Sequence, residues 1–471
     1  MSTATPVQQD LAPAPRNGLL PVSATQEERL ATGRHTQFVN QKIAAGMVFE
    51  GPVDVAALER AVVAVTARHE SVRAVFPVDP SGHRMRILPE IAEPLRFESV
   101  EDRPAQTRMD AALARLVEYA CEPFDLEHGP MFRAMLVRLD EHRHALGMTT
   151  DHIVIDAWSV RLMINDLLEL YRSLVTGEQA RLPELTVQYP DYVVWQNNHL
   201  QGKMLERMVG YWRRKLDGID PIPASGLSDP DGGSGEQPRL VKHKAVLDPV
   251  FTTRMDAFAE VERTSSTAVI GAAVKAAARR RRLATMDPEQ AGDVALFGSL
   301  ANRTRPEVEH VVGYFATPAT FRTFVDGAMS FRDVVGHSGR TFWEAMRHQR
   351  IPHSLIMKEL GSPQYGSRFR DPAGLPSYLG FDLLDYTDTH LPAPPGVTVR
   401  RVAMPMPEVP RGGLRVVGFR RGDELTLELR YRSDRFSGGW AESFMTDVRR
   451  VLEEGLADPD TTVDQAIGHA T

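Results

Sequence analysis

The most constraining feature of this chain is a predicted strand pair that leads directly into an amphipathic helix. Residues 131–139 and 144–150 favour strands and flank a polar turn at 140–143. Apolar residues then recur at helical spacing up to a predicted cap at Gly177, namely Val160, Met163, Leu167, Leu170 and Leu174. The loop between strand and helix carries His152 and Asp156, four positions apart. A loop between two rigid elements is a place where functional side chains are commonly presented.

Helices and strands are predicted in both halves of the chain. Apolar spacing predicts a helix over 54–70 with Asp54 as its N-cap, and alternation predicts a strand at 72–76. The second half favours a helix at 266–282, a strand at 294–300 and a hairpin over 414–420 and 425–431. Residues 219–237 are dense in Pro, Gly, Ser and Asp, which indicates a long loop. Since 471 residues are many for one hydrophobic core, we expect an α/β (α+β) protein with two lobes.

Composition and charge exclude several classes of protein and site. The 42% hydrophobic and 25% charged residues are typical of a globular protein, and the net charge of -7 gives no reason to expect nucleic-acid binding. Cys121 is the only cysteine, which excludes an intramolecular disulfide and any multi-cysteine metal site. No apolar run of about 18 residues predicts a membrane span. Residues 1–16 lack signal-peptide features and predict a flexible tail, so we expect a cytoplasmic protein.

The loop resembles a motif of the condensation domains of non-ribosomal peptide synthetases, His-His-x-x-x-Asp-Gly. Asp151 stands at the first histidine of that motif, His152 at the second, Asp156 at the aspartate and Ala157 at the glycine. Further blocks resemble the family and follow its order: RHESVRAVF at 68–76, EPFDL at 122–126 with GP at 129–130, YPDYVVWQ at 189–196, NRTRPE at 302–307 and VGYFAT at 312–317. The similarity extends from about residue 19 to the C-terminus.

The resemblance implies a fold and a reaction. The fold is a V-shaped pair of lobes, each similar to chloramphenicol acetyltransferase, with the active site where they meet. We place the N-terminal lobe at 17–180 and the C-terminal lobe, with the 219–237 loop, at 181–471. The family moves an acyl group from the phosphopantetheine thioester of a carrier protein to an acceptor, here an amine or alcohol, without a bound cofactor or metal. Since neither a carrier attachment block nor an adenylation loop is found, we expect a free-standing, monomeric enzyme of natural-product biosynthesis that recruits its carrier protein in trans.

The resemblance also implies roles for individual residues. His152 corresponds to the catalytic histidine, whose neutral imidazole can accept a proton near neutral pH. Asp156 is expected to be structural and to pair with an arginine from the other lobe, for which Arg303 is the candidate. The N–H groups at the start of the following helix are expected to help stabilise an oxyanion. The expected pocket-lining residues are Asp151, Ala157, Trp158, Ser159 and Ala316.

Four positions depart from the family pattern. A carboxylate at Asp151 favours the protonated form of the adjacent histidine. Ala157 adds a methyl group where glycine is usual, Ala316 replaces an asparagine of the pocket floor, and Glu28 stands where an arginine is usual. These changes keep two alternatives open. One is a non-catalytic recruitment module, and the other is a coenzyme A-dependent acyltransferase of the same superfamily.

The remaining histidines and basic residues are expected to be structural. His69 lies in a matching block but is expected to pack, and His337, His348 and His353 lack metal-ligand spacing. The arginines at 279–282 close a predicted helix, where positive charge suits the helix dipole. A contact with a carrier protein or a phosphate is the alternative interpretation of that run.

Overall fold

The computed structural model describes residues 10–33, 42–217, 227–229, 232, 238–360, 378–385, 391–407 and 413–468. The chain divides into two compact units. The first comprises residues 1–204, 301–316 and 390–408, and the second comprises 205–300, 317–389 and 409–471. The predicted loop at 219–237 lies outside the described residues, except for 227–229 and 232.

This division differs from the expected boundary at residue 180. Residues 181–204, 301–316 and 390–408 belong to the first unit because they complete its sheet and one of its apolar clusters. The segment Thr398–Val402 pairs with Lys42–Glu50 as an antiparallel strand. Tyr192 and Trp195 form a buried cluster with Phe315. Sequence order alone does not reveal such long-range exchange.

Part of the predicted flexible tail is anchored to the first unit. Leu11 is buried, and the Ala14 N–H donates to Asp191 Oδ1 at 2.7 Å. Arg16 forms ion pairs with Asp191 and Glu70, each at 2.7 Å. The prediction of a flexible tail is therefore wrong for residues 11–16, while residues 1–9 lie outside the described part.

Strands are numbered β1–β15 and helices α1–α13 in chain order. The first unit contains the following elements: β1 Leu20–Pro21, α1 Ala24–Gly33, β2 Lys42–Glu50, α2 Val55–Arg68, β3 Ala74–Val75, β4 Val78–Asp79, β5 Gly82–Ile87, β6 Leu95–Ser99, α3 Arg108–Cys121, β7 Phe132–Asp140, β8 Arg143–Asp151, α4 Ala157–Thr176, α5 Tyr189–His199 and β13 Thr398–Val402.

The main sheet of the first unit has the strand order β13-β2-β8-β7-β6 and is covered on both faces. Successive side chains of a strand point to opposite faces. Accordingly, Phe49 and Leu146 join the apolar cluster that includes α2 and α4, while their neighbours Val48 and Ala145 join the cluster of α3. This packing fixes the end of β8, and with it the loop that carries His152.

The elements around the candidate loop match the sequence prediction closely. β7 and β8 form the expected antiparallel pair, and α4 ends at Gly177, which adopts a positive φ of 74°. Asp54 caps α2 by accepting from the Ala57 N–H. The predicted strand at 72–76 is wrong for the most part. Residues 70–73 form a 3₁₀ turn, and only Ala74–Val75 pair as a strand.

The second unit contains a six-stranded sheet with the order β11-β10-β12-β14-β15-β9. The predicted helix at 266–282 and the predicted hairpin are both confirmed. Its elements are α6 Gly202–Leu216 (which begins just before the division), β9 Leu240–Leu247, α7 Pro249–Val261, α8 Ser266–Arg282, α9 Pro288–Gly292, β10 Asp293–Leu300, β11 Thr317–Phe324, α10 Phe331–Arg347, α11 His353–Glu359, β12 Leu379–Asp385, β14 Leu414–Arg421, β15 Glu424–Arg432, α12 Gly438–Ala457 and α13 Val463–Ile467.

The arginines at 279–282 tie α8 to the end of the chain. Arg279 pairs with Asp464 of α13, and both Arg280 and Arg281 pair with Asp447 of α12. Arg282 donates to two backbone carbonyl groups of the α9–β10 region. These contacts favour a structural role for the run over a contact with a carrier protein. Among the described helices, none is long and apolar enough to cross a membrane.

Candidate active site

The candidate site lies in the loop that connects β8 to α4 in the first unit. β8 ends at Asp151 and α4 begins at Ala157, so residues 152–156 form a short loop. Asp156 is the N-cap of α4, and its Oδ1 accepts the Ser159 N–H at 2.8 Å. A sheet strand and a capped helix therefore hold both ends of the loop.

His152 is half-buried, and its tautomer follows from one contact. Nδ1 lies 2.7 Å from the backbone oxygen of Ile155. A carbonyl oxygen can only accept, so Nδ1 carries the proton and donates it. In the neutral imidazole, Nε2 is then the basic nitrogen, and it has no hydrogen-bond partner among the described residues. The Tyr314 ring packs on His152 with its centroid 4.6 Å away.

Asp156 is almost completely buried and joins α4 to the segment 313–316. Besides capping the helix, its Oδ2 accepts the N–H groups of Phe315 at 3.0 Å and Ala316 at 3.1 Å. Three backbone donors thus surround one carboxylate, which compensates the cost of burying its charge. This geometry agrees with the structural role expected for Asp156.

The expected partner Arg303 is present, but its setting differs from the expectation. Its Nη2 lies 3.6 Å from Asp156 Oδ1 and donates to Ser159 Oγ at 2.7 Å. Its Nη1 donates to the backbone oxygens of Val308 and Val311. Arg303 belongs to the same compact unit as Asp156, so the expectation of an arginine from the other lobe is wrong. Burial lowers the pKa of Arg303, and the Asp156 carboxylate opposes that shift.

Two residues expected to line a pocket are buried structural groups instead. Ser159 is fully buried, and its Oγ accepts from the Gly313 N–H at 3.0 Å and donates to the Gly313 oxygen at 2.9 Å. Asp151 is only 5% exposed, and both of its carboxylate oxygens accept from Arg29. Each side chain is held by specific partners, so neither offers a free surface to a substrate.

The other expected pocket residues are more accessible. Ala157 is exposed at the first position of α4, where an alanine fits the helical backbone without strain. Trp158 is 38% exposed, its Nε1 donates to the Glu309 oxygen at 3.3 Å, and the Arg161 guanidinium lies 4.5 Å from its ring centroid. Ala316 is half-buried.

One of the N–H groups at the start of α4, which were expected to help stabilise an oxyanion, is not available for that role: the N–H group of Ser159. That N–H group is engaged by the Asp156 carboxylate. A negative group already occupies this end of the helix, and it also takes the donors of residues 315 and 316. An oxyanion would therefore need other donors.

Sequence reasoning missed two residues at this site, Tyr314 and Arg29. Tyr314 lies in the 312–317 block but was assigned no role there; burial raises its pKa to about 12, which keeps the phenol neutral. Arg29 lies 122 residues before its partner Asp151, so no local spacing could reveal the pair. His69, expected to pack, is fully buried with Nε2 2.9 Å from Asp166 Oδ2. Within the described ranges, no group of three or more His, Cys, Asp or Glu side chains could hold a metal ion.

Comparison with known proteins identifies relatives along nearly the whole chain. A family model described as "Condensation domain" matches residues 17–467. A linear gramicidin synthase protein of Brevibacillus parabrevis is 27% identical over 463 residues, which cover 97% of this chain and 6% of the synthase. The phosphinothricin tripeptide synthetase PhsC of Streptomyces viridochromogenes is 30% identical over 355 residues, which cover 73% of this chain and 31% of that protein. The chain therefore spans only a small part of these relatives.

Solved structures share the fold. The X-domain from teicoplanin biosynthesis superposes with a TM-score of 0.78 at 24% identity and covers 97% of this chain and 99% of the X-domain. That X-domain has also been solved as a complex with OxyB. The first condensation domain of the calcium-dependent antibiotic synthetase gives a TM-score of 0.74 at 19% identity, with 96% and 99% of the two chains covered.

Proposed function

This chain belongs to the condensation-domain family of non-ribosomal peptide synthesis, and we propose that it is an acyltransferase with His152 as its base. The donor is an acyl or aminoacyl group held as a phosphopantetheine thioester on a carrier protein. The acceptor is an amine or an alcohol, so the product is an amide or an ester.

The observation that carries the proposal is the hydrogen bond from His152 Nδ1 to the Ile155 oxygen. It leaves the lone pair of Nε2 available on a half-buried ring. In the reaction, Nε2 accepts the proton of the acceptor N–H or O–H as that nucleophile attacks the thioester carbonyl carbon. The new C–N or C–O bond forms, the C–S bond breaks, and the proton passes from the imidazolium to the leaving thiolate. A positioned base of this kind contributes about 10²–10⁴-fold.

Asp156 has a positioning role in this proposal. Its carboxylate binds the start of α4 and the N–H groups of residues 315 and 316, so it fixes Tyr314 against the His152 ring. Arg303 and Ser159 support the same junction through their mutual hydrogen bond. Loss of any of these three groups changes the geometry of the site without removing the proton acceptor.

The test is intact-mass spectrometry of carrier proteins loaded with acyl or aminoacyl groups. Each is incubated with the protein and a panel of amines and alcohols, and coenzyme A thioesters with the same acyl groups are compared as donors. The variant His152→Ala removes the base. His128→Ala is the matched control because the His128 side chain is 70% exposed and pairs with the exposed Asp125.

The proposal requires loss of the acyl group from the carrier, a matching product mass, and dependence of both on His152 but not on His128. Product formation by a folded His152→Ala variant at the wild-type rate would contradict it. If coenzyme A thioesters are turned over faster than carrier thioesters, the donor is a coenzyme A thioester and not a carrier-bound one.

A recruitment module is the second candidate function. The supporting observation is that Asp151, which replaces the first histidine of the motif, is locked in an ion pair with Arg29. The fold is also similar to that of the X-domain, which has been solved as a complex with OxyB, and this similarity of fold supports the recruitment candidate. This candidate predicts tight binding to a partner enzyme without turnover of any donor in the same experiment.

A further inference from the structure

Helix α1 contacts the His152 loop through two side chains of one helix face. Gln26 is fully buried, and its Nε2 donates to the Ile153 oxygen at 3.0 Å. Arg29, three positions later and therefore on the same face, donates from Nη2 to both oxygens of Asp151, at 2.9 and 3.1 Å. The side chains of Arg29 and Asp151 are only 12% and 7% exposed.

Asp151 transmits this contact to the backbone around His152. Its Oδ1 also accepts the Ile153 N–H at 2.9 Å, which closes a turn across His152. The residues on either side of His152 are therefore both tied to α1, Asp151 through its carboxylate and Ile153 through its carbonyl oxygen. The direction of the His152 ring depends on this turn.

The charges near the site are also arranged in pairs. Asp151 from β8, Asp156 from the loop and Glu28 and Arg29 from α1 all act electrostatically on Tyr314, whose ring packs on His152. Asp156 is satisfied by three backbone N–H groups, with Arg303 at 3.6 Å. Arg29 is the cation hydrogen-bonded to Asp151, and Lys42, the register partner of Asp151 on β2, also acts on it electrostatically. Without Arg29, the buried carboxylate next to His152 would lose its hydrogen-bonded cation and would favour the imidazolium.

From these contacts we propose that Arg29 is a positioning residue for His152. It holds the turn through Asp151, and its positive charge compensates that carboxylate beside the imidazole. The inference rests on the proposed function of His152 as a base. In this proposal Asp151, which replaces the first histidine of the motif, has a role of its own. It forms an ion pair with Arg29, and this pair links α1 to the site.

The test measures the protonation of His152 directly, apart from turnover. Proton NMR of histidine ring signals, assigned by comparison with His152→Ala, gives the titration midpoint of His152 in each variant. In Arg29→Met the midpoint is expected to rise by about one pH unit. The rate of acyl transfer by Arg29→Met is expected to be about tenfold below that of the wild type on the acidic side of the pH–rate profile, and to differ less at high pH. In Arg29→Met/Asp151→Asn, which lacks both charges, the midpoint is expected to return towards the wild-type value.

Controls keep the outcomes distinct. Arg84→Met removes an arginine from another Arg–Asp pair of the same unit, at a more exposed place, and is expected to leave the midpoint unchanged. If Arg29→Met does not fold, Asp151→Asn alone is used. It leaves the positive charge of Arg29 in place and is expected to lower the midpoint. An unchanged midpoint in a folded Arg29→Met or Asp151→Asn variant would overturn the proposal. If the variants show the predicted midpoints but the wild-type protein turns over no donor, the proposed function is refuted and the effect of the ion pair on His152 stands.

Discussion

Lys275 is fully buried in α8 of the second unit and has no carboxylate partner among the residues that the structure describes. Its Nζ donates to Thr323 Oγ1 at 2.6 Å and to Ser338 Oγ at 3.2 Å, and it lies 5.5 Å from the Phe342 ring centroid. Burial, assisted by repulsion from Lys215, lowers the pKa of Lys275 from its usual 10.5 to about 7. We predict that Lys275→Met stabilises the protein at neutral pH.

The magnitude follows from proton linkage. Between pH 7 and pH 10.5 the unfolded chain binds a proton at Lys275 that the folded chain does not, so stability rises with pH through this window. The gap between the two pKa values costs the folded protein about 4 kcal/mol at pH 7 and about 1 kcal/mol at pH 9.5. Lys275→Met removes this cost but leaves two buried hydroxyl groups without their donor, at about 2 kcal/mol in total. The net gain is about 2 kcal/mol at pH 7 and turns into a small loss at pH 9.5.

Urea denaturation at pH 7 and pH 9.5 measures both values. Lys358→Met is the matched control, because Lys358 is exposed in the same unit and its replacement should change stability little at either pH. A Lys275→Met variant that is less stable than the wild type at pH 7 would refute the reasoning. So would a stability difference that stays the same at the two pH values.

Two further predictions concern the junction beneath the candidate site. Ser159→Ala removes a buried hydroxyl group that forms hydrogen bonds with the N–H and the carbonyl oxygen of Gly313 and with Arg303. The free energy of unfolding, measured by urea denaturation, should therefore fall by about 3 kcal/mol. A loss below about 0.5 kcal/mol would show that these hydrogen bonds contribute little. Tyr314→Phe keeps the ring that packs on His152 and should retain activity, whereas Tyr314→Leu should lower the transfer rate about tenfold in the mass-spectrometric assay; equal rates for the two variants would contradict the role of the ring.

Local patterns predicted the elements that position the site. The hairpin of β7 and β8 and the helix α4 follow from alternation and from helical spacing, since each buries one face against a neighbouring layer. The strand prediction at 72–76 was mostly wrong because a short apolar alternation also fits a 3₁₀ turn followed by two strand residues. The resemblance to condensation domains provided His152, Asp156 and Arg303, which spacing alone could not have connected.

What the sequence could not provide was contact between distant segments. Arg29 meets Asp151 across 122 positions, and Ser159 meets Gly313 across 154. The strand Thr398–Val402 joins a sheet built mainly from the first 151 residues. Lys275 was also unforeseen, because a lysine within a helical pattern is normally placed on the exposed face.

The central claim is that His152 is the base of an acyl transfer. Its most direct test is the single-turnover rate constant for transfer from a loaded carrier protein to a fixed acceptor, measured for the wild type, His152→Ala and His128→Ala. The proposal predicts a fall of at least about 10²-fold in His152→Ala and less than about twofold in His128→Ala. A folded His152→Ala protein that transfers the acyl group within about threefold of the wild-type rate would contradict it.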